Sequence, residues 1–234
     1  MGGRSSSSAG RGSGGGVTKV GRIDLREFPL KYGSEDHHFS NAIRKQIEKF
    51  EDSNYKKKNE HNVLVDSNGN VVETNVGGKG SVGYSESAAR KSTTTSHNHP
   101  RDDDKLLGGT FSGGDPDDPK SGGDIKGFIR YDNQITKRAT AQEGTYSISK
   151  LDGFDGDSLL RAYNKASSQA NAEYKKELQG YYIKYNTPGN SNYSYKAYQA
   201  DRAKAFNRWM VKNHNWLLDN QTKYGYYYTL ERRK

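Results

Sequence analysis

Ser96-His97-Asn98-His99-Pro100, followed by Ser112-Gly113-Gly114-Asp115, is the part of this chain whose side chains are spaced for chemistry. On a strand end, residues i and i+2 project to the same face, so the imidazoles of His97 and His99 can converge on one ion. Pro100 then fixes the exit of the chain from the pair. A carboxylate from the following Ser-x-x-Asp completes a three-ligand site and leaves a fourth position for water. That is the coordination of a catalytic zinc rather than a structural one. The chain has no cysteine, so histidine and carboxylate must hold any metal, and neither a disulfide framework nor a thiolate finger can form.

Ser-Gly-Gly-Asp occurs twice, at Ser112 to Asp115 and at Ser121 to Asp124. The first copy follows Thr110-Phe111, and the second runs into Ile125 and a short helix. Asp115 with Ser112 is the preferred reading, and Asp124 with Ser121 is the duplicate alternative. Asp102, Asp103 and Asp104 read as solvated loop acids. His37-His38, His61 and His214 read as capping or surface residues.

These side chains need a scaffold. Phe39, Ala42, Ile43, Ile47 and Phe50 recur at helical spacing after helix-start chemistry around Ser34-Glu35-Asp36. Asn62 to Asp66 and Val71 to Val76 flank Asn68-Gly69, a strong hairpin signal. Ser85 to Lys91 is predicted as helical turns, and Ser92 to Ser96 extends into the histidine motif. Arg101 to Gly123 is rich in Asp, Gly, Pro and Lys and reads as a long exposed loop that gates a site. Asp124 to Tyr131 is predicted as a short helix, and Thr136 to Ala141 with Thr145 to Ser149 as a second hairpin around Glu143-Gly144. Ser158 to about Tyr185 and Tyr193 to about Thr222 read as an antiparallel helical hairpin, followed by a short strand at Tyr224 to Leu230. The expected fold class is α+β, a small sheet with flanking helices followed by that hairpin. The expected domains are a Gly/Ser/Arg tail over 1–18, a metal-binding domain over 19–155 and a Tyr-rich basic hairpin over 156–234.

The 234 residues carry 37 basic and 28 acidic side chains, a formal charge of +9. This permits an acidic partner such as nucleic acid, although the lysines are scattered rather than gathered in a tract. No apolar run approaches the roughly 20 residues that span a bilayer, and no secretory h-region is seen. The expectation is a soluble protein kept inside the cell, with no membrane partner.

The region from Asn62 to Lys150 resembles the JAB/MPN domain of JAMM-motif metalloproteases, including the bacterial RadC-type branch. The resemblance rests on Glu73 in a strand, His97-Asn98-His99-Pro100, and Ser112-Gly113-Gly114-Asp115, together with the Val-Asp, Asn-Gly, Val-Val-Glu order upstream. The Gly/Arg/Ser-rich start and the Glu143 to Ile148 run look like small JAB-related proteins of phages and mobile elements of Gram-positive bacteria. The resemblance implies a zinc hydrolase of peptide or isopeptide bonds in the bacterial cytoplasm. His97, His99 and an aspartate would be ligands, Glu73 the general base and Ser112 the oxyanion donor. The spacing from Pro100 to Ser112 is longer than in the compact family pattern, with Arg101 to Gly109 as an insertion.

Two other functional classes compete with this reading. One is a non-catalytic phage structural or morphogenesis protein that keeps the fold, associates with the virion and meets a protein partner through the C-terminal hairpin. The other is a DNA-associated accessory protein. There, tyrosines interleaved with Lys184, Lys196, Arg202, Lys204, Arg208 and Lys212 would stack on bases and neutralise phosphates.

Overall fold

The computed structural model describes residues 19–20, 22–34, 38–101, 103, 105–115, 117–118, 122–186 and 194–233. The expected tail over 1–18 and Ser121 lie outside them. Strands β1 (Lys19–Val20) and β2 (Ile23–Asp24) make a small antiparallel pair. Helix α1 spans Asn41–Asn54 and starts later than the Ser34 signal predicts. Ser40 takes the N-cap position, its Oγ accepting a hydrogen bond from Ile43 N.

Strands β3 (His61–Val65) and β4 (Val71–Val76) form the first hairpin. Asp66 Oδ1 accepts from Asn68 N and Asn70 N, and Gly69 supplies the φ of +86° that closes the turn. After α2 (Glu86–Lys91) come β5 (Thr94–Asn98), α3 (Asp124–Ile129), β6 (Thr136–Ala141) and β7 (Gly144–Lys150). The long helices α4 (Gly156–Asn186) and α5 (Tyr195–Tyr224) follow, and β8 (Tyr226–Glu231) ends the described fold.

The six-stranded sheet has the order β4-β3-β5-β6-β7-β8. Every neighbouring pair is antiparallel except β5 with β6. A parallel step requires a crossover connection. Here that crossover carries Arg101 to Gly123 and α3, so it sweeps the rest of the motif back over the sheet face that bears His97. The fold is α+β, with a mixed sheet between α1 on one face and α3, α4 and α5 on the other.

β8 pairs with β7 along its whole length, so the C-terminal segment completes the sheet as well as adding helices. Gly225 permits this return. Its φ is +67°, and a β-carbon there would lie 2.7 Å from Gly153 O. Phe111, Tyr163, Leu217 and Tyr228 share one buried cluster with Ala139, Tyr146 and Ile148 of the sheet. Contrary to the exposed loop expected for residues 101–123, Leu107 and Phe111 are buried. They turn inward because α5 and the sheet offer them apolar cover. Among the described residues no helix is long and apolar enough to cross a membrane.

His214, expected at the surface, is fully buried on α5. Its Nε2 faces Lys31 O at 3.2 Å and its Nδ1 faces Tyr228 Oη at 2.8 Å. Burial pushes its pKa down to about 4. Below the ordinary value of about 6.5 the unfolded chain therefore binds a proton that the folded chain refuses, and stability falls as pH drops from about 6.5 to about 4. The shift is worth about 3 kcal/mol across that window. Denaturant unfolding at a series of pH values is expected to show this slope, and His214→Gln is expected to flatten it.

Candidate metal centre

His97 lies on β5, whose alternation points its ring to the face covered by α3, α4 and α5. The ladder continues one residue past the strand, with His99 N donating to Thr140 O at 2.8 Å, which keeps His99 on that face too. The two Nε2 atoms lie 2.9 Å apart. Asp124 Oδ1 is 3.1 Å from His97 Nε2, and Asp124 Oδ2 is 3.8 Å from His99 Nε2. All three donor atoms fall within 4.8 Å of one another. Tetrahedral zinc with bonds of about 2.0–2.2 Å places neighbouring ligands about 3.3–3.5 Å apart, so this cluster matches a single ion.

His99 Nδ1 lies 2.8 Å from Gly109 O. That carbonyl accepts a hydrogen bond from Nδ1–H and so leaves Nε2 as a bare donor toward the cluster, the tautomer a metal needs. Gly109 is itself held from two sides. Glu143 Oε2 and Oε1 accept from the amides of Gly108 and Gly109 at 2.9 and 2.8 Å, while Asn207 of α5 bonds Leu107 N and Lys105 O. Arg101 donates to Leu107 O and Gly108 O from below the same loop. The hairpin helices thus help to orient a candidate ligand.

The carboxylate in the cluster is Asp124, the alternative reading, and not Asp115. Asp115 is exposed, and its Oδ1 accepts from Asp117 N. The serine beside Asp124 is nevertheless Ser112. Ser112 N and Oγ both lie 2.9 Å from Asp124 Oδ2, and Asp124 N donates back to Ser112 Oγ at 3.0 Å. Ile125 N donates to Ser112 O and Lys126 N to Gly113 O, which continues the α3 hydrogen-bond pattern across the gap in sequence. A β-carbon on Gly114 would run into Gly122 O, so the two ends of the intervening stretch touch. With residues 114–122 removed, Ser112-Gly113-Gly123-Asp124 reads as one Ser-x-x-Asp leading into a helix. The motif combines the serine of the first copy with the aspartate of the second.

Glu73 is not part of this cluster. Its carboxylate accepts from Ser85 N and Oγ and from Asn75 Nδ2, which hold it below the usual carboxylate range. It secures the cap of α2 through Ser85 and does not line the cavity around the histidines. Glu60 lines that cavity instead, together with His97, His99, Asp124 and Lys137. Residue 60 immediately precedes β3, and its backbone is pinned to Gly77 and Gly78 across the hairpin. Burial pushes its carboxyl up, with His99 opposing and Asp124 reinforcing the shift.

Burial lowers His97, and Asp124 opposes that shift. Burial also works against charge on His99, but Asp124 holds it above its ordinary value. Burial works against the Asp124 carboxylate as well, yet His97 and Lys137 hold its pKa well below the normal range. An ionised carboxylate facing two imidazole nitrogens in a buried wall is the donor set for a divalent cation. The wall belongs to an open cavity of about 1280 Å³ reached by Tyr163, Trp209 and Met210 of the long helices. Glu60 and Lys137 escape the motif reading because each stands alone in sequence; only the period-2 alternation of β6 puts Lys137, which pairs with Thr95, on the sheet face of His97. No protein family, curated protein or solved structure matches this chain, so the geometry alone speaks for the site.

Proposed function

We propose that the chain is a JAB-like zinc hydrolase of peptide or isopeptide amides, carried by a phage or mobile element. The observation that carries this reading is the convergence of His97, His99 and Asp124 on the wall of an open cavity that Glu60 also lines. Zinc held there would lower the pKa of a water from about 15.7 toward about 7 and polarise the substrate carbonyl. Glu60 takes the proton of the attacking water and returns it to the leaving amine. A carboxyl raised by burial suits both steps. Ser112 orients Asp124, because its hydroxyl donates to Asp124 Oδ2 and that proton is not offered to an oxyanion. Glu143, through Gly109 O, keeps His99 in the ligating tautomer.

Glu60→Gln is expected to keep its zinc and to lower turnover of a fluorogenic peptide library by about 10²- to 10⁴-fold. Glu73→Gln is expected to retain both metal and turnover. Equal losses in the two variants, or full activity in Glu60→Gln, would reject the assignment.

The second reading, a non-catalytic interaction protein, is favoured by the exposure of Tyr182, Ile183 and Tyr195 near the far end of the α4–α5 hairpin. The nucleic-acid reading draws less support. Lys184 pairs with Asp201, Lys204 with Glu27, Arg208 with Glu177 and Lys212 with Glu173. Tyr174 stacks on Trp209 at 5.6 Å and Tyr185 meets Tyr198 edge-on, so the hairpin uses these aromatics to join its own helices.

A further inference from the structure

Lys137 is the unexpected member of the metal wall. Its side chain is only 7% exposed, and its ammonium is 3.4 Å from Asp124 Oδ1. Among the described residues no hydrogen bond reaches that ammonium. Burying a cation is costly unless an anion answers it. Asp124 can do so alone, but once that carboxylate ligates a divalent ion its charge is shared, and the ion adds its own positive charge to the site. Glu60 offsets part of this excess, while Arg101 lines the same cavity and adds to it.

Space for an answering anion lies next to Lys137. Gly127 of α3 lines the cavity with Tyr84 and Lys137. A β-carbon at Gly127 would lie 3.1 Å from Tyr84 Oη and 3.9 Å from Lys137 Nζ. The bare glycine leaves a hydroxyl donor and an ammonium both close to one point on the cavity wall. Two donors flanking one point suit the two oxygens of a carboxylate, with the ammonium contact charge-assisted.

We propose that Lys137 and Tyr84 form a carboxylate subsite beside the metal position, so that the substrate bears a free carboxylate close to the scissile amide. This rests on the zinc hydrolase reading and narrows it to substrates such as peptides cut near a free C-terminus or near an acidic side chain.

Calorimetric titration of the zinc-loaded chain with N-acetyl-dialanine and with its carboxamide tests the subsite, with zinc content measured on every sample. The free acid is expected to bind at least tenfold more tightly than the amide to the parent protein. Lys137→Met is expected to reduce that ratio to below about twofold, and Tyr84→Phe to lower it, both with zinc retained. Gly127→Ala, which crowds Tyr84 Oη at that point without removing a charge, is expected to collapse the ratio as well. Equal binding of acid and amide, no binding of either, or a ratio that survives in both Lys137→Met and Gly127→Ala overturns the subsite. A chain that takes up no zinc overturns the hydrolase reading itself, whereas zinc uptake without discrimination overturns the subsite alone.

Discussion

Asp124→Ala is expected to lower zinc affinity by more than 100-fold, whereas Asp115→Ala is expected to leave it unchanged. Removing an outer-shell partner of a ligand commonly costs about 10- to 100-fold in metal affinity, and a ligand itself costs more. The two aspartates occupy equivalent places in identical Ser-Gly-Gly-Asp copies. Only Asp124 lies against His97 and His99. A sharper form of the same prediction removes residues 114–122. The ends of that stretch already touch, and the α3 hydrogen bonds already bridge it. The shortened chain is therefore expected to fold and to bind zinc as the parent does. Competition titration against a chromophoric chelator checks all three proteins. Zinc lost with Asp115, or kept without Asp124, would reject the hybrid motif.

The largest expected loss of stability lies on the opposite face of the sheet. Arg138 of β6 is 2% exposed and is clasped between Glu51 of α1 and Glu231 of β8. Ser96 Oγ and Thr145 Oγ1 also donate to Glu51. Arg138→Met removes the cation that clasps both buried carboxylates, a change that costs about 3–5 kcal/mol. For a chain of this length that lowers Tm by about 10 °C. Replacing all three residues together, Glu51→Leu with Arg138→Met and Glu231→Leu, removes the charges as well as their partner. The triple variant is expected to recover most of the loss, since an apolar substitute for a buried ion network is often neutral. Thermal unfolding followed by circular dichroism distinguishes the two. A single variant as stable as the parent would show that the network is not under the load assigned to it.

Much of the architecture is legible in local chemistry. Asn68-Gly69 marks a real hairpin, the two long helical runs near the C-terminus are α4 and α5, and the alternation of β6 and β7 reads as the second hairpin. These signals are local, and local propensity is what a sequence displays most directly. The errors have a different origin. The start of α1 is set by Ser40, whose hydroxyl caps the amide of Ile43. His214 looks like a surface histidine until α5 docks on β8 and Lys31.

The site divides in the same way. His97 and His99 are two residues apart on one strand, so their convergence follows from the pleat. The carboxylate cannot be assigned so simply, because two identical motifs compete and the winner depends on how the crossover folds back over the sheet. Glu73 fits a motif order, yet Ser85 and Asn75 engage it elsewhere. Glu60 has no neighbour in sequence that marks it. It reaches the cavity because β3 lies next to β5 in the sheet.

The most direct test of the account is the zinc content of the untagged chain by elemental mass spectrometry, compared with the His97→Ala/His99→Ala double variant of equal fold content by circular dichroism. The account predicts close to one zinc per parent chain and essentially none in the variant. A parent chain that carries no zinc even after zinc is supplied, or a double variant that carries as much as the parent, would contradict it.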